Sequence, residues 1–339
     1  MVITMSKTVI PPGYKSCLDI YDTQTAIGFL NQVFEQHLSA ALHLKRVTAP
    51  LIVDPSLGLN DNLNGVERPV SFDIAETGGT AEVVHSLAKW KRLALYKYDF
   101  FPGKGLYTDM NAIRRDEELS NLHSIYVDQW DWEKVLPKGK RDERYLHETV
   151  RAIIGAICDT QEIVQKKYGL TLPTLSRDIA FVTAQDLEDR WPEKTPKERE
   201  TAICSEFGTV FVQGIGDKLK SGKLHDGRAP DYDDWQLNGD ILFWNPVLGC
   251  AFELSSMGIR VDAKALDEQL RKIGCDERRT LYFHKLLLDG ILPQTIGGGI
   301  GQSRMCMLLL GKAHIGEVQS SVWDEETQRL CDEAGISLL

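Results

Sequence analysis

Apolar residues recur at mixed three- and four-residue spacing between Thr23 and Leu44, which is typical of an amphipathic helix. A second apolar run, Met305–Leu310, has helical length and follows a cluster of glycines. Further helices are predicted in Leu87–Tyr98, Arg144–Tyr168, Lys197–Phe207, Ala263–Ile273, Glu277–Leu288 and Ser303–Gly311.

Runs rich in β-branched and apolar residues predict about eight strands between these helices. They are Val70–Ile74, Ala81–His85, Leu106–Arg115, His123–Trp132, Ile179–Thr183, Thr209–Gly214, Gly239–Val247 and Ala251–Val261, and they are preceded by a first run of the same kind, Val47–Val53. Pro50 cannot donate to a central ladder, so the first run is expected at a sheet edge or at a covered interface. Because many connections are short, we expect an α+β fold with a mainly antiparallel sheet flanked by helices.

No repeat, low-complexity segment or Ser/Gly linker divides the chain, so residues 1–339 are predicted to form one catalytic domain. The segments Gly214–Asn238 and Asp54–Arg68 are the most loop-like. With 42% hydrophobic residues, the 339-residue chain can bury a large core.

Thirty-nine basic and 49 acidic residues give a net charge of −10, which disfavours nucleic acid and anionic membranes as partners. No apolar run approaches the length of about 20 residues that spans a bilayer, and Met1–Pro12 does not have the pattern of a signal peptide. The seven scattered cysteines never occur as Cys-x-x-Cys, so we expect reduced thiols in a cytoplasmic protein.

The segment Gly297–Arg304 is the strongest indication of function. Its glycines would let the backbone approach a ligand closely, and the first turn of the following helix favours an anion. Arg304 adds a planar cation that can grip a phosphate or stack on a purine. A phosphate-binding loop is one interpretation, and a tight turn before a buried helix is the other.

Neither a P-loop nor a dinucleotide fingerprint is present, so any nucleotide site must be of another kind. Gln129 and Asp131 share one face of a predicted strand, where they serve either a ligand or a solvated outer face. His85, His123 and His225 have no partner at ligand spacing, which favours structural roles.

Asp240 and Glu253 fall on neighbouring predicted strands, and such carboxylates suit Mg²⁺ accompanied by phosphates, although an edge salt bridge would give the same pattern. Lys91 could meet a substrate carboxylate, or it could belong to a solvated helix face. Arg228 and the acidic run Asp231–Asp234 form either a lid or a solvated loop.

Together these pieces resemble the catalytic core of class II aminoacyl-tRNA synthetases. The helix and strand around Pro50 resemble the first motif of that class, through which a homodimer would form. Arg114–Glu117 with His123–Glu133 resembles the second motif, and Gly299–Arg304 resembles the third.

Within that class the chain resembles the ammonia-dependent asparagine synthetases nearly from end to end. The stretches that carry this likeness are His85–Arg92, Tyr126–Glu133, Arg228–Trp235, Asn238–Leu242, Phe252–Asp262 and Pro293–Arg304. The resemblance implies that aspartate, ATP and ammonia become asparagine, AMP and pyrophosphate through a β-aspartyl-adenylate.

The resemblance also implies residue roles. Arg114 would hold the α-phosphate, with Arg115 as the alternative, while Glu117 would bind the adenine edge and Arg304 the adenine face and distal phosphate. Lys91 and Arg260 would each grip one carboxylate of aspartate. The remaining expected contacts are Asp61, Ser86, Gln129 and Asp131 around the ammonium of aspartate, Asp233 and Ser256 in the ATP region, and Asp240 with Glu253 on Mg²⁺. Arg114, Asp61, Gln129 and Lys91 are the predicted catalytic residues.

Asp61, Asp131 and Asp233 remain alternative acceptors for the ammonium that must lose a proton. Free ammonia is the expected donor because Met1 and Val2 open the chain and Cys17 is its first cysteine. Two rival functions share the motifs: an aminoacyl transferase acting on tRNA or protein, and a non-catalytic paralogue.

Overall fold

The computed structural model describes residues 7–63 and 65–339; Met1–Ser6, and Asn64 in the predicted loop, lie outside the described residues. The helices are α1 (Ile20–Leu42), α2 (Ala88–Lys97), α3 (Glu143–Tyr168), α4 (Ala184–Arg190), α5 (Pro196–Phe207), α6 (Ala263–Ile273), α7 (Tyr282–Leu288), α8 (Gln302–Leu309) and α9 (Glu325–Glu333). The strands are β1 (Leu44–Arg46), β2 (Ile52–Val53), β3 (Ser71–Ile74), β4 (Gly79–Val83), β5 (Gly105–Ile113), β6 (Tyr126–Val135), β7 (Ala180–Thr183), β8 (Thr209–Gln213), β9 (Asp233–Asn245), β10 (Cys250–Arg260) and β11 (Thr295–Gly301).

Eight of these strands form one sheet in the order β1-β5-β6-β11-β10-β9-β8-β7. The six central strands pair antiparallel, whereas β1 with β5 and β7 with β8 pair parallel. A separate three-stranded sheet has the order β2-β4-β3. The predicted α+β fold with a mainly antiparallel sheet is therefore confirmed.

Helices α1 and α3 cover one face of the large sheet. Every fourth residue of α1 from Ala26 to Leu42 is buried, and Asp19 caps the helix by accepting from the Asp22 amide. Phe34 of α1 packs on Trp130 of β6 with ring centroids 4.7 Å apart. This face forms the main hydrophobic core, and it contains no predicted site residue.

The opposite face of the sheet is left for the other helices and for a cavity. Strand β8 shows the division: Phe211 belongs to the main core, whereas Val210 and Val212 pack with residues of α4 and α5. Helix α2 contacts β5, β6 and β11. Within the described ranges, no helix is both long and apolar enough to cross a membrane.

Two predicted elements were wrong. Val47–Val53 is not one strand, because β1 ends at Arg46, β2 begins at Ile52, and Pro50 lies between them. The glycine cluster is not a turn: Thr295–Gly301 forms β11 in the middle of the sheet, and α8 starts directly after it. The short helices α4 and α9 were not predicted, and the predicted helix Glu277–Leu288 divides into a 3₁₀ turn and α7.

Candidate active site

A cavity of about 500 Å³ opens on the sheet face opposite α1 and α3. Most of the predicted site residues line it: Asp61, Ser86, Lys91, Arg114, Glu117, Gln129, Asp131, Asp233, Glu253, Ser256, Arg260 and Arg304. Arg115 and Asp240 are not among the lining residues. The fold therefore brings together residues that lie almost 250 positions apart in the sequence.

Strand β6 supplies the floor of the cavity. Its alternation directs Trp130 and Trp132 into the main core, so Gln129, Asp131 and Glu133 lie on the opposite face. Gln129 and Asp131 share one face of the strand, as predicted, and both line the cavity; that they bind a ligand stays a prediction. Glu133 continues the same alternation one step further.

The glycines of β11 make room for these polar side chains. A Cβ on Gly297 would collide with the Glu133 carboxylate, and a Cβ on Gly299 would lie 2.5 Å from Gln129 Oε1. Gly298 is restricted on the other side, where a Cβ would lie 2.6 Å from Met257 Cβ. A glycine-rich sequence is thus required here because side chains of the neighbouring strands occupy the space above β11.

Helix α2 carries Lys91 and is fixed from both sides. Arg92 donates to the carbonyl oxygens of Val261 and Pro293 at 2.7 and 2.9 Å. Lys89 forms a fully buried ion pair with Asp231, 3.1 Å from Nζ to Oδ2. Asp231 belongs to the acidic run that could have formed a solvated loop. It is instead buried, and its ion pair with Lys89 holds α2 in place.

We call the deep part of the cavity the closed end; its charged lining residues are Asp61, Lys91, Asp131, Asp233 and Arg260, and Glu133 is paired with Arg260 next to them, all six being buried. Lys91 Nζ donates to Asp131 Oδ1 at 2.6 Å and to the Gly298 carbonyl oxygen at 2.9 Å. Burial lowers the pKa of Lys91, while the Asp131 carboxylate acts against that shift. The ammonium is held at a fixed position on the cavity wall.

Arg260 joins two carboxylates at the closed end. It donates to Glu133 at 2.7 Å from Nη2 and also forms an ion pair with Asp233. Burial raises the pKa of Glu133, but the Arg260 guanidinium outweighs it and holds that pKa below its ordinary value. For Asp233 burial prevails over Arg260, and the pKa is raised.

Asp61 completes the closed end from the segment before β3. Its Oδ2 accepts from Ser86 Oγ at 2.7 Å, and its Oδ1 accepts from the Leu63 amide at 2.8 Å. His85 Nδ1 lies 3.0 Å from the Asp61 carbonyl oxygen. His85 thus has the structural contact that its isolated position predicted.

A β-bulge in β10 explains how Glu253, Ser256 and Arg260 reach the same cavity. Strict alternation would place Glu253 on the opposite face from the other two. The register with β9 shifts between Glu253 and Ser255. The residues of β10 that face the main core are Phe252 and Leu254 on one side of this shift and Met257 and Ile259 on the other. The bulge therefore reorients the second half of the strand.

We call the outer part of the cavity the open end; its charged or titratable residues include Arg114, Glu117, His123, Lys197, Arg228, Glu253 and Arg304, together with further carboxylates such as Asp128 and Asp226. Arg304 Nη1 is 3.8 Å from Glu253 Oε1, and Lys197 Nζ is 4.0 Å from Oε2. Burial raises the pKa of Glu253, but Arg304, Lys197 and Arg228 together lower it to about 2. The carboxylate is therefore ionised between two cations.

Asp240 lies on β9 beside Glu253, as predicted, but both of its carboxylate oxygens accept from Arg228. Burial raises its pKa to about 6 in spite of Arg228. Within residues 7–63 and 65–339, no group of three or more His, Cys, Asp and Glu side chains is arranged to hold a metal ion. Asp240 does not fit the role of a free Mg²⁺ ligand in this arrangement.

Arg114 and Arg115 differ clearly in position. Arg114 lines the cavity, and its Nε is buried without a hydrogen-bond partner in the described part of the chain, whereas Arg115 is exposed. Burial raises the pKa of nearby Glu117 against the opposing charges of Arg114 and Arg304. The geometry favours Arg114 over Arg115 as the residue that meets a ligand.

Four residues at or next to this site were given no binding role from the sequence: Glu133, Lys197, Arg228 and Tyr232. Glu133 could have been found from the alternation of Gln129 and Asp131. Lys197 carried a weaker signal, since it is a cation in the first turn of a predicted helix, where the dipole disfavours it. Arg228 and Tyr232 lie in the predicted loop and carry no periodicity that would place them.

Solved structures share this fold. The chain is similar to asparaginyl-tRNA synthetase from Pyrococcus horikoshii complexed with asparaginyl-adenylate, with a TM-score of 0.62 and 15% identity over 88% of this chain and 68% of that chain. Aspartyl-tRNA synthetase from Entamoeba histolytica gives a TM-score of 0.60 and 14% identity over 90% of this chain and 58% of that chain. The class II synthetase fold expected from the three motifs is confirmed.

Curated relatives are much more similar in sequence. The aspartate–ammonia ligase of Clostridium perfringens is 58% identical over 99% of this chain and 100% of its own length. That of Bacillus cytotoxicus is 59% identical over 96% of this chain and 99% of its own length. The family model described as aspartate-ammonia ligase matches residues 21–335. The chain therefore belongs to the aspartate–ammonia ligase family.

Proposed function

We propose that this ligase converts aspartate, ammonia and ATP to asparagine, AMP and pyrophosphate through a β-aspartyl-adenylate. The observation that carries the proposal is a single cavity whose closed end holds two buried cations among four carboxylates, while its open end holds Arg114 and Arg304. The first arrangement suits a zwitterionic substrate, and the second suits a nucleotide phosphate.

The charges of the closed end match aspartate and ammonium together. Its cations are Lys91 and Arg260, one for each substrate carboxylate. Its anions are Asp61, Asp131, Glu133 and Asp233. Aspartate and ammonium together would add two carboxylates, which these cations could bind, and two ammonium groups, which these carboxylates could bind. Gln129, which lies beside Asp131 on the same face of β6, would orient the aspartate ammonium by accepting a hydrogen bond through its amide oxygen.

Activation would take place where the two ends meet. An oxygen of the β-carboxylate attacks the α-phosphorus of ATP, and the bond from that phosphorus to the β-phosphate bridging oxygen breaks, which releases pyrophosphate. Arg114 would stabilise the charge that spreads over the α-phosphate, and its unpartnered Nε supports that role. Arg304 would bind the adenine face and the distal phosphates, while Glu117 would bind the adenine edge.

Amidation would follow at the closed end. Ammonia attacks the activated carbonyl carbon through its lone pair, AMP leaves, and the nitrogen loses a proton. Asp61, Asp131 and Asp233 are the candidates for binding ammonium and accepting its proton. Asp233 has a raised pKa and already contacts Arg260, whereas Asp131 is paired with Lys91. Within the described residues the Asp61 carboxylate accepts from two neutral donors, Ser86 Oγ and the Leu63 amide, which favours it as the ammonium ligand.

Mg²⁺ remains a prediction for this ATP-dependent reaction. Glu253 lies beside the expected phosphate position and is ionised, so it fits an oxygen ligand. Asp240 would have to leave Arg228 before it could contribute. Ser256 lines the cavity near these residues.

The experiment is to incubate the protein with ATP, ammonium and aspartate whose β-carboxylate is labelled with ¹⁸O. Asparagine and AMP should form in equal amounts, and one label should appear in the AMP phosphate because the carboxylate oxygen bonds to phosphorus. Formation of ADP and phosphate, or AMP without label, would contradict the adenylate route.

The same assay distinguishes asparagine formation from transfer of an aminoacyl group to tRNA or protein. With tRNA added in place of ammonium, the proposed enzyme should leave the RNA uncharged. The tRNA synthetases it resembles contain about a third of their length beyond the matched region. Charged tRNA together with no asparagine would favour the aminoacyl transferase instead.

A homodimer through the segment around Pro50 is also proposed. Leu51 and Ile52 expose 54% and 40% of their surface there, and apolar side chains of that kind suit a covered interface. Light scattering during size-exclusion chromatography should give twice the chain mass, and Leu51→Glu should reduce it. A monomer at micromolar concentration would contradict the proposal. A cytoplasmic location remains a prediction.

A further inference from the structure

Lys197 lines the open end with an exposed side chain, and the activation step described above gives this residue no role. It is the second residue of α5, and Thr195 caps that helix by accepting from the Glu198 amide. A cation in the first turn opposes the helix dipole, so the position stabilises the helix less than a neutral residue would. Sequences break such local rules mainly at functional sites.

The surroundings of Lys197 keep its ammonium at the cavity. Nζ donates to Glu200 Oε2 at 3.0 Å and lies 4.0 Å from Glu253 Oε2. Two thirds of the side chain is exposed, whereas Glu200 is buried and also contacts His225 Nε2 at 3.0 Å. The lysine therefore has a fixed counter-ion on one side and a solvent-accessible approach on the other.

Glu253 shows where an anion would meet this lysine. Arg304 lies near one carboxylate oxygen at 3.8 Å and Lys197 near the other at 4.0 Å, both beyond hydrogen-bond distance. Each cation thus retains N–H donors for a further anion. Arg114 is already placed on the α-phosphate and Arg304 on the adenine face and the distal phosphates, so Lys197, which is more exposed, would share the distal phosphates with Arg304.

Resting on the proposed function, we propose that Lys197 binds the β- and γ-phosphates of ATP and holds the pyrophosphate as it leaves. When the bond between the α-phosphorus and the bridging oxygen breaks, negative charge accumulates on the pyrophosphate, and the ammonium would stabilise that charge. The exposed side chain gives the product a direct route to solvent.

The experiment uses the full chain and compares Lys197→Met with two controls. Lys197→Arg keeps the charge, and Lys194→Met removes a charge from the same exposed region outside the cavity. In Lys197→Met, the KM for ATP and the inhibition constant for pyrophosphate should each rise about tenfold, since a charge-assisted contact is lost. The inhibition constant for AMP and the KM for aspartate should stay within about twofold, because neither contains those phosphates. Lys197→Arg should recover most of the loss, and Lys194→Met should match the wild type.

Calorimetric titration with pyrophosphate separates this proposal from the proposed function, because it requires no turnover. Pyrophosphate should bind the wild type and bind Lys197→Met about tenfold more weakly, even if no asparagine is formed. Equal affinity in both proteins, no binding to the wild type, or an equal loss of AMP and pyrophosphate affinity would overturn the role of Lys197.

Discussion

Both ends of the cavity hold cations and carboxylates, but the two ends pair these charges differently. At the closed end the cations are hydrogen-bonded to carboxylates, as in the 2.6 Å contact between Lys91 and Asp131 and the 2.7 Å contact between Arg260 and Glu133. At the open end Arg304 and Lys197 lie 3.8 and 4.0 Å from the carboxylate of Glu253, and the carboxylate to which Lys197 donates, that of Glu200, does not line the cavity. The cations of the closed end are paired with carboxylates inside the protein, whereas the cations of the open end keep N–H donors that a ligand can use.

This difference separates stability from catalysis. Removing one member of a buried pair leaves an uncompensated charge in the protein interior, which affects folding itself. Removing a partly exposed cation leaves the fold nearly unchanged, because water can solvate the remaining carboxylate. Substitutions at the two ends should therefore give different combinations of lost stability and lost activity.

The largest effect is expected for Arg260→Met at the closed end. It leaves Glu133 and Asp233 buried without their cation, so the free energy of unfolding should fall by about 3–5 kcal/mol. Denaturant unfolding followed by circular dichroism measures the change. The double variant Arg260→Met/Glu133→Gln should be more stable than the single one, since one unpaired charge is gone. An Arg260→Met protein with wild-type stability would refute the contrast between the two ends.

Arg304→Met tests the open end. Its side chain is 23% exposed and contacts Glu253 through only one backbone hydrogen bond, so we expect unfolding free energy to change by no more than about 1 kcal/mol. The rate of asparagine formation should nevertheless fall about 10²- to 10³-fold, as for other preorganised donors. Steady-state kinetics and the same unfolding assay give both values. A large stability loss with little change in rate would assign Arg304 to the fold instead.

The positions of side chains at the two ends could be predicted from the sequence with unequal success. Alternation along β6 placed Gln129 and Asp131 correctly, because side-chain direction in a regular strand follows from position alone. The ion pair of Arg228 with Asp240 could not be predicted, since it depends on how an irregular segment folds back over the sheet. A metal ligand and a buried salt bridge look the same in sequence when the partner lies in such a segment.

Strand β11 shows a second limit of sequence reasoning. Four glycines in five positions suggest a turn when only local conformation is considered. Here side chains of β6 occupy the space that a Cβ would need on Gly297 and Gly299, and Met257 of β10 does so at Gly298. The bulge in β10 is a comparable case, since nothing in the local pattern shows where Glu253 and Arg260 come onto the same face.

Gly297→Ala tests this explanation and should have an intermediate effect. The new Cβ would collide with the Glu133 carboxylate and lie 2.7 Å from Arg260 Nη2, so unfolding free energy should fall by about 1–3 kcal/mol. The KM for aspartate should rise more than that for ATP. Gly28→Ala is the matched control: it lies within α1 with open space around its Cβ and should stabilise the protein by up to about 1 kcal/mol. A neutral Gly297→Ala would show that β11 tolerates side chains.

The smallest effect concerns His123 and acid stability at the open end. Burial, together with the positive charge of Arg304, lowers its pKa from 6.5 to about 4, so the folded protein keeps the imidazole neutral where the unfolded chain takes up a proton. Its contribution to stability is therefore complete above pH 6.5 and is lost as the pH falls towards 4. His123→Gln cannot titrate, so it should lose less unfolding free energy than the wild type between pH 7 and pH 5. An equal loss of unfolding free energy in the two proteins would mean that the pKa of His123 is not lowered and that water solvates the open end more than its geometry indicates.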